Sequence, residues 1–187
     1  MEHKGTVRLE TGRIILRQFT KDDYEAVFKN FESDVEITKY LRWKATDDLN
    51  VSIKIVDSWI DSYKNKDVYQ WAIVPKDLNE PIGTISVVSL DEKINKVHIG
   101  YCIGSKWWNL GYTSEALSTI IPFFFEEVKA NRIESQHDPN NINSGKVMLK
   151  CGMKYEGTLR QNDWNNQGIV DGAVYGLLAS EYFENKG

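Results

Sequence analysis

The spacing of apolar residues divides the chain into short elements. "TGRIILRQF" (residues 11–19) alternates like a strand, and Thr20 with Asp23 three places on predicts a capped helix through "TKDDYEAVFKNF". In "TDDLNVSIKIVDSWIDSYK", Leu49, Ile53, Val56, Ile60 and Tyr63 recur along one helical face. "YQWAIVP", "IGTISVVSL" and "NKVHIGYCIG" then read as three consecutive antiparallel strands. In the third, Val97, Ile99, Tyr101 and Ile103 face one way, and His98, Gly100 and Cys102 the other. Leu117, Ile120, Ile121, Phe124 and Val128 mark a helix that Pro122 should kink or divide. "NRIESQHD" is a further strand, and "INSGKVMLKCG" a short helix closed by Gly152. Finally "MKYEGTLRQ" and "IVDGAVYGLLA" pair across the turn "NDWNNQG".

This order predicts a mixed α/β domain, largely antiparallel in its first half, with a strand–helix–strand unit after it. The 187 residues fit one domain spanning 1–187 and suffice for a real core. No apolar run approaches the roughly 20 residues that cross a bilayer, and "MEHKGTVRLE" has no signal-peptide core. A cytoplasmic protein without membrane attachment is therefore the expectation. A net charge of −4 argues against a broad nucleic-acid surface, so any anionic ligand must be held by local dipoles and a few cations. Cys102 and Cys151 are too few for a disulfide framework, and the scattered His3, His98 and His137 give no reason to expect a metal site.

One corner carries candidate chemistry. In "WWNLGYTSEA" (107–116) a strand ending near Gly104 is delivered through a short loop into a helix. Helix starts carry unpaired N–H groups and a positive dipole end, and Gly111 would let a phosphate approach the backbone. No GxGxxG follows any strand, and "NNINSGKV" has Asn140 and Val147 where a Walker A loop needs Gly and Ser/Thr.

"IGYCIGSKWWNLGYTSEAL" resembles the strand–loop–helix core of GNAT-type N-acetyltransferases, closest to their RimJ/RimL branch, whose usual form is IGYWI…WGKGYATEAL. "DPNNINSGKVMLKCGMKYEGTLR" is similar to that branch's N-x-x-S-x-x-V-x-x-K-x-G-F/M…EG-x-x-R segment, and "RLETGRIILRQF" to its first strand. The resemblance runs from about Arg8 to Leu178. It implies a GNAT fold and an acetyl-CoA site in which Trp108, Asn109, Leu110, Gly111, Tyr112, Thr113 and Ser114 wrap the pyrophosphate. Trp108 stands at the family's Q/R position, Asn109 replaces an extra glycine, and Thr113 stands where Gly or Ala is usual. The backbones of Cys102 and Ile103 would meet the pantetheine arm, with one amide polarising the thioester, and Asn141 and Ser144 match positions beside the pantetheine and sulfur.

Acetyl transfer to an amine needs a neutral nitrogen, a polarised thioester and a proton for the departing thiolate, but no covalent enzyme intermediate. Glu156 and His98 are the candidate bases and Ser144 the candidate acid; Glu156 could equally be an ion-pair partner, and Ser144 a helix cap. Cys102 reads as a buried strand residue, not a nucleophile. Asp163 and Trp164 are candidates for the acceptor side, as is Tyr175, for which core packing is the alternative. The expected reaction is acetylation of a protein N-terminal α-amine. Alternatives are a small amine such as a polyamine, amino acid or aminoglycoside, or a non-catalytic CoA-binding protein. A monomer and a homodimer are both open.

Overall fold

Apolar alternation becomes, in the computed structural model describing residues 1–186, an eight-stranded sheet in the order β1-β2-β3-β4-β5-β6-β8-β7. The strands are β1 (Leu9–Glu10), β2 (Ile14–Arg17), β3 (Gln70–Pro75), β4 (Gly83–Asp91), β5 (Lys96–Ile103), β6 (Arg132–His137), β7 (Lys154–Asn165) and β8 (Gly168–Leu178). All neighbours are antiparallel except β5 and β6. The strand expected over residues 11–19 is confined to β2, with β1 before it, because Thr11 Oγ1 takes the amides of Arg13 and Ile14 and turns the chain between the two.

The helices are α1 (Tyr24–Val27), α2 (Val35–Thr38), α3 (Leu49–Ser62), α4 (Tyr112–Pro122), α5 (Ile142–Lys150) and α6 (Ala179–Glu184). Thr20 and Asp23 close the expected capping box before α1. α1 runs on through a wide turn, Phe28–Glu32, and α3 starts at Leu49 because Asp48 caps it through the Asn50 amide (2.9 Å). α4 ends its regular run at Pro122, which has no N–H to give, and continues as a second wide turn, Phe123–Glu127. The last hairpin is longer than expected. β7 and β8 reach Asn165 and Gly168, and the surplus residues bulge between Leu159 and Asp163, where Gln161 is left-handed and gives its amide to Asp171 (2.8 Å).

The sheet buries both faces. On one, α4 and α5 cover Trp71, Ile73, Ile85, Val97, Ile99, Ile133 and Leu177. On the other, Phe19, Val27, Phe31, Ile37 and Val56 of the α1–α3 layer cover Ala72 and Val74, with Leu41, Trp43 and Cys102 packed alongside. Two strands fail to stay together. β5 pairs β6 only from Lys96↔Arg132 to His98↔Glu134, yet β5 continues to Ile103 and β6 to His137. Beyond that point β5 keeps its ladder with β4 and β6 its ladder with β8. A wedge opens between them.

Candidate active site

Which groups line the wedge follows from strand alternation. Gly104 N–H bonds Ile82 O (2.9 Å) and Cys102 lies opposite Thr84, so Cys102 turns its backbone to β4. Ile99, Tyr101 and Ile103 turn theirs to the wedge: Ser135 Oγ donates to Ile99 O (2.8 Å), and Trp108 Nε1 to Ile103 O (3.0 Å). Tyr101 and Ile103, and not Cys102, therefore present amides there, which corrects the expectation for Cys102. Burial pushes the Cys102 thiol up to about 12, which keeps it protonated, in keeping with its reading as a strand residue.

At the mouth of the wedge, Asn109 (φ 62°) and Gly111 (φ 83°) both hold left-handed backbone around Leu110, and Gly111 is the residue before α4. No side chain caps α4, so the amides of its first turn, Tyr112, Thr113 and Ser114, have no acceptor within the helix. Asn is the residue besides glycine that best tolerates this backbone, which is why Asn109 can stand where the family resemblance implies an extra glycine. Arg13 fastens the loop from β2's entry: it donates to Leu110 O (3.1 Å) and Glu115 (2.7 Å) and stacks on Tyr112 at 4.8 Å. A cavity of about 320 Å³ opens here, flanked by Arg13, Gly111, Ser114, Ser118 and Lys150. Sequence reading missed Arg13 and Lys150, because each lies far along the chain from the loop.

Across the wedge stands α5. Tyr101 Oη lies 3.0 Å from Ser144 Oγ and 3.0 Å from Ser144 O, and burial pushes its phenol up, so it stays protonated. Tyr101 read only as core from its aliphatic neighbours; the signal overlooked was a hydroxyl that needs a buried partner. Asn141 is the residue preceding α5 and makes no side-chain cap bond; Ser144 lies inside the first turn and is not the cap.

The other candidates lie on the opposite face or in the core. His98, at the last paired position of β5, meets Glu134 through Nδ1 (3.2 Å). Hydrogen bonds from His98, Arg132 and Lys96 outweigh burial and hold Glu134 at about 2. Glu156 reaches over Gly176 to clamp Arg132 (2.8 and 2.5 Å), and this bonding lowers its proton affinity. A carboxylate so bound is a poor base. Burial alone would raise the Asp163 pKa, but bonds from Arg42 (2.7 Å), the Trp164 amide and Gln136 (2.8 Å) hold it below the usual range. Trp164 is half exposed under the Arg42 guanidinium at 5.1 Å. Tyr175 faces α5, buried against His137 and beside Gly145, as its core-packing alternative had it. Among the described residues no cluster of His, Cys, Asp or Glu could hold a metal ion.

A parted sheet takes an extended arm as though it were another strand, while the free amides of α4 suit the phosphates at that arm's end. The architecture is that of an enzyme using an acyl thioester of coenzyme A. The chain belongs to the GNAT acetyltransferases: residues 13–154 match the Acetyltransferase (GNAT) domain. It is 34% identical over 170 residues to the uncharacterized N-acetyltransferase YoaA of Bacillus subtilis, covering 91% of this chain and 96% of that one. Among solved structures, a GNAT-family acetyltransferase from Bacillus anthracis superposes with a TM-score of 0.81 at 26% identity, covering 94% of this chain and all of the other. RimL, a ribosomal-protein α-N-acetyltransferase solved with coenzyme A, shares the fold at a TM-score of 0.82 and 17% identity, covering 94% and 99%. The protein is an acetyl-CoA-dependent N-acetyltransferase. No helix is long and apolar enough to cross a membrane among the described residues.

Proposed function

We propose that the enzyme acetylates a protein N-terminal α-amine in the cytoplasm, by direct attack of the amine on acetyl-CoA with both substrates bound. The observation that carries transfer is the wedge itself, open between β5 and β6 beside an uncapped helix start. Trp108, Asn109, Leu110, Gly111, Tyr112, Thr113 and Ser114 hold the pyrophosphate, aided by Arg13 and Lys150. Asn141 lies beside the pantetheine. The Tyr101 or Ile103 amide polarises the thioester carbonyl. The Tyr101–Ser144 hydroxyl pair protonates the departing thiolate. His98, aligned by Glu134 on the face away from α4, takes a proton from the attacking nitrogen. Glu156 instead keeps Arg132 in register. Support for the α-amine is the shared fold with RimL.

A specific feature favours a small amine as the second reading. Asn166 Nδ2 donates to the carbonyls of Thr38, Leu41 and Trp43 (2.6, 2.9 and 2.9 Å), and Arg42 bonds Asp163. These bonds tie the loop after α2 to the β7–β8 hairpin and narrow the side from which the acceptor enters. A thiol-release screen over alanine- and serine-terminated hexapeptides, spermidine and lysine separates the two. Turnover of the peptides alone upholds the α-amine, and turnover of spermidine or lysine alone replaces it. Tight acetyl-CoA binding with no turnover of any of them would sink the acetyl-transfer reading.

A further inference from the structure

Gly104 comes so close to the Asn30 carbonyl that a β-carbon would collide with it, and the Ser105 amide bonds Asp34 Oδ2 (2.8 Å). Together these contacts seat the wide turn after α1 on the open end of β5. Glu32 lies between them, its carboxyl within electrostatic reach of the Cys102 side chain. That is the sheet face opposite α4 and α5. With the donor entering over the α4 cradle, an acceptor must come from this face.

Glu32 is 4% exposed. The other acidic groups bordering this end of the sheet are engaged. Asp34 binds the Ser105 amide, Glu134 binds His98, Arg132 and Lys96, and Glu156 binds Arg132. Asp138 binds Asn140 and Asn165, and Asp163 binds Arg42 and Gln136. Glu32 has no side-chain partner among the described residues, and burial by itself raises its pKa to about 7. No charged group contributes to that shift, and the titratable neighbour shown within its electrostatic reach is the Cys102 thiol from β5. Among the described residues the sealed, unpartnered side-chain atoms are Ser52 Oγ and His137 Nε2, so the Glu32 oxygens keep some accessible surface. A desolvated carboxyl without a partner opposes folding, and such groups concentrate at functional sites, as do wide helical turns.

We propose that Glu32 receives the acceptor as its ammonium ion and takes the first of the two protons the nitrogen must lose. The role rests on the acetyl-transfer reading above. The ammonium gives one proton to the Glu32 carboxylate, and the freed lone pair forms the C–N bond to the acetyl carbonyl. The second nitrogen proton passes through water to His98, about four strand residues along β5 from Cys102, as the C–S bond breaks, and the thiolate takes a proton from the Tyr101–Ser144 pair. His98 restores that proton through water, and Glu32 releases its own to solvent, so one proton leaves per turnover.

The test uses Glu32→Gln, close to isosteric and uncharged, with Glu32→Asp as the conservative variant, on the same four-compound panel. At pH 7 the Gln variant should lose about 100-fold in kcat/KM for whichever amine wild type acetylates best. Its loss should shrink about tenfold per pH unit toward that amine's own pKa, where the neutral form no longer needs Glu32. Calorimetric titration of the amine into CoA-loaded enzyme should weaken at least tenfold, acetyl-CoA affinity should stay within twofold, and the Asp variant should recover part of the loss. A Gln variant within threefold of wild type, or a loss of equal size at every pH, overturns the role of Glu32 alone. Absence of wild-type turnover on all four compounds overturns the acetyl-transfer reading and this role with it.

Discussion

Asn109 and Gly111 reach the same left-handed backbone by different means, one through a side chain that tolerates it and one through having none. A β-carbon at Gly111 would also stand 3.4 Å from Arg13 Nη2. Gly111→Val should therefore weaken acetyl-CoA binding at least tenfold by calorimetry and destabilise the fold by about 1–2 kcal/mol; unchanged affinity would remove the phosphate role from this loop. Glu32 makes a second residue-scale prediction. Its folded pKa, about 7, lies above its unfolded value of 4.5. The stabilisation from holding its proton is full below pH 4.5 and lost as pH rises through 7. Urea denaturation from pH 4.5 to 8 should show wild type losing up to about 3 kcal/mol relative to Glu32→Gln. Parallel stability curves would mean that Glu32 is not desolvated in the folded protein.

Elements were readable where one face alone decides them. Val97, Ile99, Tyr101 and Ile103 alternate against His98, Gly100 and Cys102 as their pattern predicts, since a strand has only two faces. Boundaries were less readable, because side chains set them: Thr11 delayed the start of β2, Asp48 delayed α3, and Asp171 held the β7 bulge. At this scale the pairing of Tyr101 on β5 with Ser144 on α5 is testable. Ser144→Ala and Tyr101→Phe should each lower kcat about 10- to 100-fold, with acetyl-CoA affinity within about twofold. A change confined to affinity would make the pair a binding contact. Gly176 permits a second inter-element contact, the Arg132–Glu156 clamp above it. Gly176→Ala should displace that clamp at a cost of no more than about 1 kcal/mol in thermal unfolding, because only the far ends of two flexible side chains must move; a loss of several kcal/mol would show that the clamp is rigid.

Across the whole molecule, the parted sheet offers two faces, and the proposed reading puts acetyl-CoA on the α4–α5 side and the acceptor on the other. The Asn166 clamp joins the loop after α2 to a hairpin more than 120 residues later, on the face proposed for the acceptor. Asn166→Ala should raise KM for the acceptor severalfold and leave acetyl-CoA affinity unchanged; an effect on both would mean that the clamp supports the sheet instead. The sequence by itself determined the mixed α/β class, the strand–loop–helix corner and the GNAT resemblance, because alternation, capping and motif spacing are local properties of a chain. Only the tertiary structure decided that Cys102 turns its backbone to β4, that Glu156 is held by Arg132, that Tyr175 faces α5 and that Tyr101 meets Ser144. It also left Glu32 unpartnered beside β5. Side-chain chemistry depends on which groups from distant segments reach one another and how much water they lose on the way, and neither is written in local spacing.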